Sequence, residues 1–237
     1  MKKILNYFTI FEWCLWLGSL ATILITFFAM GNTDYRQLAC SLVGVTGLIF
    51  IEKGSLVGMI ITLIFSALYG IVSYFCAYYG EMITYLGMTS PIALIGIFTW
   101  FRHRREDEKG KVVINEIHGK EYGILAVISL IVTVSFYFIL RALNTANLII
   151  STISVLTSFV AAYLQLRRSR FYAIGYTLND IVLITLWTLQ AVNDIRYLAM
   201  VSCSVAFLVN DIYGFINWTR MLHAQCQKAT GIPKQAE

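Results

Sequence analysis

Two hydrophobic stretches carry asparagine and aspartate side by side at their centres, Asn179-Asp180 within LNDIVL and Asn210-Asp211 within VNDIYG. A carboxylate in mid-bilayer costs roughly 2.5–3.5 kcal/mol even on the lenient insertion scale, so each must face a polar cavity or a partner. The neighbouring amide supplies both donors and an acceptor. That pairing suits recognition of a small polar or charged molecule, or proton exchange between carboxyl groups. No GxSxG, HExxH or glycine-rich phosphate loop accompanies it.

The elements that hold these residues follow from composition. The chain is 58% hydrophobic and 13% charged, against about 25% charged in soluble domains, and its mean hydropathy is +0.71. This predicts an all-α integral membrane protein. No short hydrophobic segment ending in a small-residue cleavage site opens the chain, so the first apolar segment is expected to be retained. A span needs about 20 apolar residues, and eight segments qualify, near 12–30, 37–51, 55–78, 82–101, 121–140, 146–166, 171–192 and 197–219. The second is the shortest.

With eight crossings, one side holds Lys2, Lys3, Lys53, Arg102, Arg104, Arg105, Lys109, Lys111, Lys120, Arg167, Arg168, Arg170, Arg220, Lys228 and Lys234; the other keeps Arg36, Arg141 and Arg196. The positive-inside rule then places both termini in the cytoplasm. The net charge of +5 is accounted for by these loops and by anionic head groups, without nucleic acid. Five cysteines without a CxxC pair support neither a zinc site nor a disulfide framework, and no metal or cofactor is expected. His103, His118 and His223 fall in loops or the tail. The polar stretch RHRREDEKGKVVINEIHGK is a linker.

That linker separates two similar halves. GIFTWFR (Gly96, Thr99, Trp100, Arg102) is matched by GFINWTR (Gly214, Asn217, Trp218, Arg220), and TYLGMTS (Tyr85 to Ser90) by RYLAMVS (Tyr197 to Ser202). The offsets differ: Trp218 minus Trp100 is 118, Tyr197 minus Tyr85 is 112. Both pairs run in the same direction, so the repeats are parallel, related by an axis along the membrane normal. The expected organisation is residues 1–36 as N-terminus and accessory helix, 37–101 as the first three-helix repeat, 102–145 as basic loop and linker helix, 146–222 as the second repeat and 223–237 as tail. A three-plus-one-plus-three core results.

At 100° per residue, Asp180 and Trp187 share a helix face, as do Asn179 and Gln190. On the last helix Asn210 aligns with Asn217 and Asp211 with Trp218, with Tyr213 and Gly214 between. Thr62, Ser66, Tyr69 and Ser73 form a milder polar stripe on the third helix, which bonding back to their own helix explains equally well. The amides also suit interhelical hydrogen bonding, and Trp100 and Trp218, close to the basic loops, suit interface anchoring. Trp187 lies deeper and suits stacking on a ligand. Pro91 should kink its helix and free a carbonyl.

TYLGM, TWFRHR, the basic LRRSRFYAIGY stretch and the closing NDIYGFINW, in this order and in this repeat plan, resemble the PnuC family of bacterial vitamin transporters, which share the SWEET architecture. The resemblance covers roughly residues 37–222. It implies a facilitator of nicotinamide riboside, a homotrimer in the bacterial inner membrane, whose substrate is trapped by phosphorylation inside; other members are assigned vitamins such as thiamine. A site built from Asn179, Asp180, Trp187, Gln190, Asn210, Asp211, Tyr213, Asn217, Tyr69, Thr99, Trp100 and Trp218 would stack the cationic ring, pair the carboxamide and accept ribose hydroxyls. Pro91 has no counterpart in the second half, which disfavours a sugar and a proline hinge. A proton-coupled symporter using Asp180 or Asp211, an intramembrane aspartyl protease and a substrate-capture subunit of an importer are the other readings of the same residues.

Overall fold

The computed structural model describes residues 7–104 and 111–230, so Lys2, Lys3, Arg105, Lys109 and Lys234 lie outside the described residues. The chain is helical throughout, in the order α1 (Ile10–Ala29), α2 (Tyr35–Glu52), α3 (Leu56–Phe75), α4 (Tyr79–Arg102), α5 (Gly119–Ala142), α6 (Leu148–Leu166), α7 (Tyr172–Asn193) and α8 (Leu198–Thr230). All but α2 are long and apolar enough to cross a membrane. The starts are written locally. Thr9 and Glu12 form a reciprocal capping box on α1, and Asp34 and Ser55 accept from the first turns of α2 and α3.

Pro91 takes effect as a widened turn. Residues Thr84–Thr89 of α4 form a π-helical segment directly before it, and the Ser90 amide and hydroxyl both donate to the Tyr85 carbonyl. The hydroxyl bond is 2.8 Å long. The expected kink therefore appears as a π-bulge, a device common at functional sites.

The halves repeat in detail. Ser55 donates its amide to Phe50 O at 3.0 Å and Ser169 to Leu164 O at 2.9 Å, across turns whose preceding residues, Gly54 and Arg168, have φ of 66° and 59°. The same kind of turn also ends α3, where Tyr78 donates to Ser73 O at 2.9 Å after left-handed Ala77, and it ends α1 and α5. Asn32 donates to Phe27 O and Thr145 to Leu140 O, both at 3.1 Å, after left-handed Gly31 and Asn144. The α1–α2 connection thus has the geometry of the α5–α6 connection. Helix α1, expected to be accessory, packs on α2 and α8, while α5 packs on α6 and the start of α4.

The two halves meet reciprocally: α8 packs on α2, and α4 on α6. At the basic end the interface is closed by a matched pair of indoles. Trp100 Nε1 donates to Gln165 O at 3.3 Å and Trp218 Nε1 to Ile51 O at 3.1 Å, each tryptophan reaching the other half's first helix. Their ring centroids stand 5.6 Å apart. Both rings are buried, so neither faces the lipid interface as an anchor would. The second part of the linker crosses this end as a strap. Val112 donates to Gly54 O and Asn115 to Arg168 O; Gln225 of α8 bonds both the amide and the carbonyl of Ile114.

Close approach of α6 and α7 depends on Gly175, where a Cβ would sit 2.8 Å from the Ala161 Cα. Gly175→Ala is expected to cost about 1–3 kcal/mol by overpacking and to lower the thermal midpoint in detergent. Gly18→Ala, with open space around it, should leave the midpoint unchanged.

Candidate functional site

Between the halves lies an enclosed cavity with an open volume of about 40 Å³. Its wall is shared: Thr62 and Phe65 of α3, Tyr85 and Thr89 of α4, Gln165 of α6, Tyr176, Asn179 and Asp180 of α7, and Phe207 and Asp211 of α8. Asp180 and Asp211, predicted from sequence as the polar centre, face one another across this space. Each keeps one carboxyl oxygen with no hydrogen-bond partner, Oδ2 of Asp180 and Oδ1 of Asp211. The Asn179 carbonyl is held by three hydroxyls of α6, those of Ser154 at 3.2 Å, Thr157 at 2.8 Å and Ser158 at 2.9 Å. That triple clamp fixes the amide's orientation and leaves its two N–H groups to give.

A column of aromatic rings leads from the cavity toward the end opposite the basic one. Tyr85, on the cavity wall, lies 4.3 Å from Tyr69 between centroids; Trp187 Nε1 donates to the Tyr69 hydroxyl at 2.9 Å; and Tyr197 stacks on Trp187 at 6.0 Å with planes 22° apart. Tyr197 in turn lines a vestibule of about 470 Å³ with Asn32, Asp34, Arg36, Asp194 and Arg196. Two like ion pairs line it. Asp34 binds the Arg36 guanidinium at 2.8 Å and Asp194 that of Arg196 at 2.6 Å. Those guanidiniums hold both carboxyls below the usual aspartate range.

The remaining predicted residues fall elsewhere. Asn210 donates to Ser19 Oγ of α1 at 3.1 Å and to Ala206 O, and Tyr213 donates to Glu12 at 2.9 Å. Both tether α1. Asn217 donates to Glu52 O at 2.8 Å, one residue from the Trp218 bond, so it belongs to the closed basic end. Gln190 accepts weakly from Tyr78, at 3.5 Å, near the far end of α7. Thr99 is bonded back to Ile95 O and exposed. Thr62 and Ser66 are likewise bonded back to their own helix, as the structural reading of that stripe has it.

Several groups are visible only in three dimensions. Gln165, Tyr176, Tyr85 and Thr89 complete the cavity wall; Tyr85 had a signal in the repeat motif, whereas Gln165 next to Arg167 looks like a helix end. Glu52 and Glu81 are fully buried, and no oxygen of either carboxylate has a hydrogen-bond partner. Lys53 beside Glu52 is taken by Glu12 at 2.8 Å.

Seven helices long and apolar enough to cross a membrane, packed around a polar cavity, make this a polytopic membrane protein. The family model described as nicotinamide mononucleotide transporter matches residues 34–220, and the chain belongs to that family. Similar proteins are the nicotinamide riboside transporters PnuC of Neisseria mucosa, 26% identical over 93% of this chain and 85% of that protein, and of Haemophilus influenzae, 23% identical over 87% and 89%. A crystal structure of the vitamin B3 transporter PnuC superposes with a TM-score of 0.80 at 25% identity, covering 92% of this chain and 94% of that one. The family is one of transporters, not enzymes, which removes the aspartyl protease reading.

The Tyr69–Trp187 bond is the one side-chain hydrogen bond within the aromatic column. Tyr69→Phe leaves a buried indole N–H without an acceptor and should cost about 1–3 kcal/mol. Combined with Trp187→Phe, the loss of thermal stability should be smaller than the sum of the two single losses.

Proposed function

We propose that this chain carries nicotinamide riboside across the bacterial inner membrane as a facilitator, with net uptake driven by phosphorylation inside. The observation that carries the reading is the cavity between the halves, where Asn179, Asp180 and Asp211 converge at the foot of an aromatic column. The substrate presents a flat cationic ring, a carboxamide and a ribose. Tyr69, Tyr85 and Trp187 suit the ring, the free N–H groups of Asn179 suit the carboxamide oxygen, and Asp180 and Asp211 suit ribose hydroxyls or the charge.

Volume supplies the mechanism. About 40 Å³ holds one or two waters, whereas pockets for small ligands run to about 300–1,000 Å³. Loading therefore requires the halves to part, alternately toward the vestibule and toward the basic end, by rocking of one bundle against the other. In this reading all eight helices span, in a SWEET-like three-plus-one-plus-three core preceded by α1, with the basic end and both termini in the cytoplasm. Assembly as a homotrimer rests on the family resemblance alone. The facing carboxyls of Asp180 and Asp211 also suit a proton-coupled symporter.

Purified protein in liposomes tests this. Uptake of labelled nicotinamide riboside should follow its gradient without ATP and should persist when a protonophore is added; uptake that collapses with the proton gradient would establish the symporter instead. Asn179→Ala should slow uptake at least about tenfold, since truncation leaves the buried hydroxyls of Ser154 and Ser158 without their acceptor as well as removing the contact. Thr99→Val, on the outer surface, should change it by less than about twofold.

A further inference from the structure

We propose that Glu81, the Asp180–Asp211 pair and Glu52 form three successive counter-charge stations for an organic cation crossing the molecule. This rests on the reading of the chain as a nicotinamide riboside carrier and names two residues of the path, Glu81 and Glu52, that flank its central site.

The three levels are spread along the membrane normal. Glu81 is the third residue of α4, at the vestibule end, and Glu52 is the last residue of α2, at the basic end. An 18-residue helix such as α2 is about 27 Å long at 1.5 Å per residue, so the two glutamates stand near opposite faces of the apolar slab. Asp180 lies eight residues into the 22-residue α7, about 12 Å from its basic end by the same rise, and so between them.

Among the described residues, none of the four carboxyl groups forms an ion pair. The ion pairs Lys53–Glu12, Arg36–Asp34, Arg167–Glu121 and Arg196–Asp194 engage other acids. Both oxygens of Glu52 and both of Glu81 lack hydrogen-bond partners, and each residue is fully buried. Glu81 stands beside Ser154, whose hydroxyl is already donated to Asn179, and within electrostatic reach of Tyr69 and Tyr85 in the aromatic column. Glu52 faces a second unsatisfied group. A Cβ on Gly214 would come 3.1 Å from the Glu52 Cγ and 3.2 Å from the Tyr172 hydroxyl, and that hydroxyl also has no partner. Glycine at 214 lets α8 pack directly against both.

A buried acid without a cation is a poor packing element, because an apolar residue of similar size fills the space at lower free-energy cost. Three levels of them along one axis make sense when the missing cation is the cargo. Aromatic faces between the first and second levels attract the same charge without binding it tightly. Three weak stations also suit transport, which requires that the ligand leave as well as enter.

The test is charge selectivity of the full chain in liposomes, comparing nicotinamide riboside with its dihydro form, which has nearly the same shape and an uncharged ring. Glu81→Gln and Glu52→Gln should each slow uptake of the cation about tenfold, the loss of one charge-assisted contact, while uptake of the dihydro form stays within about twofold. Glu→Asp at either site should restore part of the preference. If both substrates slow equally in the glutamine variants, the glutamates are structural and the proposal fails; it fails also if the wild-type preference survives. Wild-type protein that carries neither compound would overturn the nicotinamide riboside reading itself, an outcome distinct from loss of charge preference.

Discussion

Buried carboxyl groups in a hydrocarbon slab set the terms for the rest of this molecule. Asp180 and Asp211 can persist in mid-membrane only if protein surrounds them on every side, and that requirement draws α3, α4, α6, α7 and α8 around one small cavity. Their enclosure then needs the two halves to meet. The halves do so reciprocally, the third helix of each repeat lying on the first helix of the other, with Trp100 and Trp218 sealing the basic end by bonds to main-chain carbonyls at matched positions. Closure and polarity are one structural problem with one solution.

The same constraint explains why α1 is present. A six-helix core would leave one flank of α8 bare at the depth of Asn210 and Tyr213. Helix α1 covers it, bringing Ser19 to Asn210 and the Glu12–Lys53 ion pair to Tyr213. Its turn into α2 has the local geometry of the turn from α5 into α6. Helix α5 has few partners within the chain and exposes Val127, Leu130, Ile131 and Phe138, a surface suited to lipid.

Much of this was legible in the sequence. Apolar length located all eight helices, with boundaries displaced by three residues or fewer; the exception is the end of α8, which runs on to Thr230 because Gln225 is held by the strap. The repeat was visible wherever its residues must be large and specific, as in the two tryptophan motifs. The Asn-Asp steps marked the cavity because charge in mid-helix has no cheap explanation. Helical periodicity put Asn210, Tyr213 and Asn217 on the same stripes, and in this structure each of the three bonds to a neighbouring helix. Glu52 and Glu81 escaped because acids near helix ends ordinarily reach solvent, and only packing shows that these do not. The sequence placed the polar weight of the site in the second half, whereas the flanking acids come from the first, and the two halves together line the path.

The central claim is that substrate binds between the halves at the level of Asp180 and Asp211. An experimental structure of the protein with nicotinamide riboside bound measures this directly. The account predicts density for the ligand in an enlarged central cavity, its ring against Tyr69, Tyr85 or Trp187 and its carboxamide within hydrogen-bond distance of Asn179. Density confined to the vestibule between Arg36 and Arg196, with the central cavity still closed around Asp180 and Asp211, would contradict it.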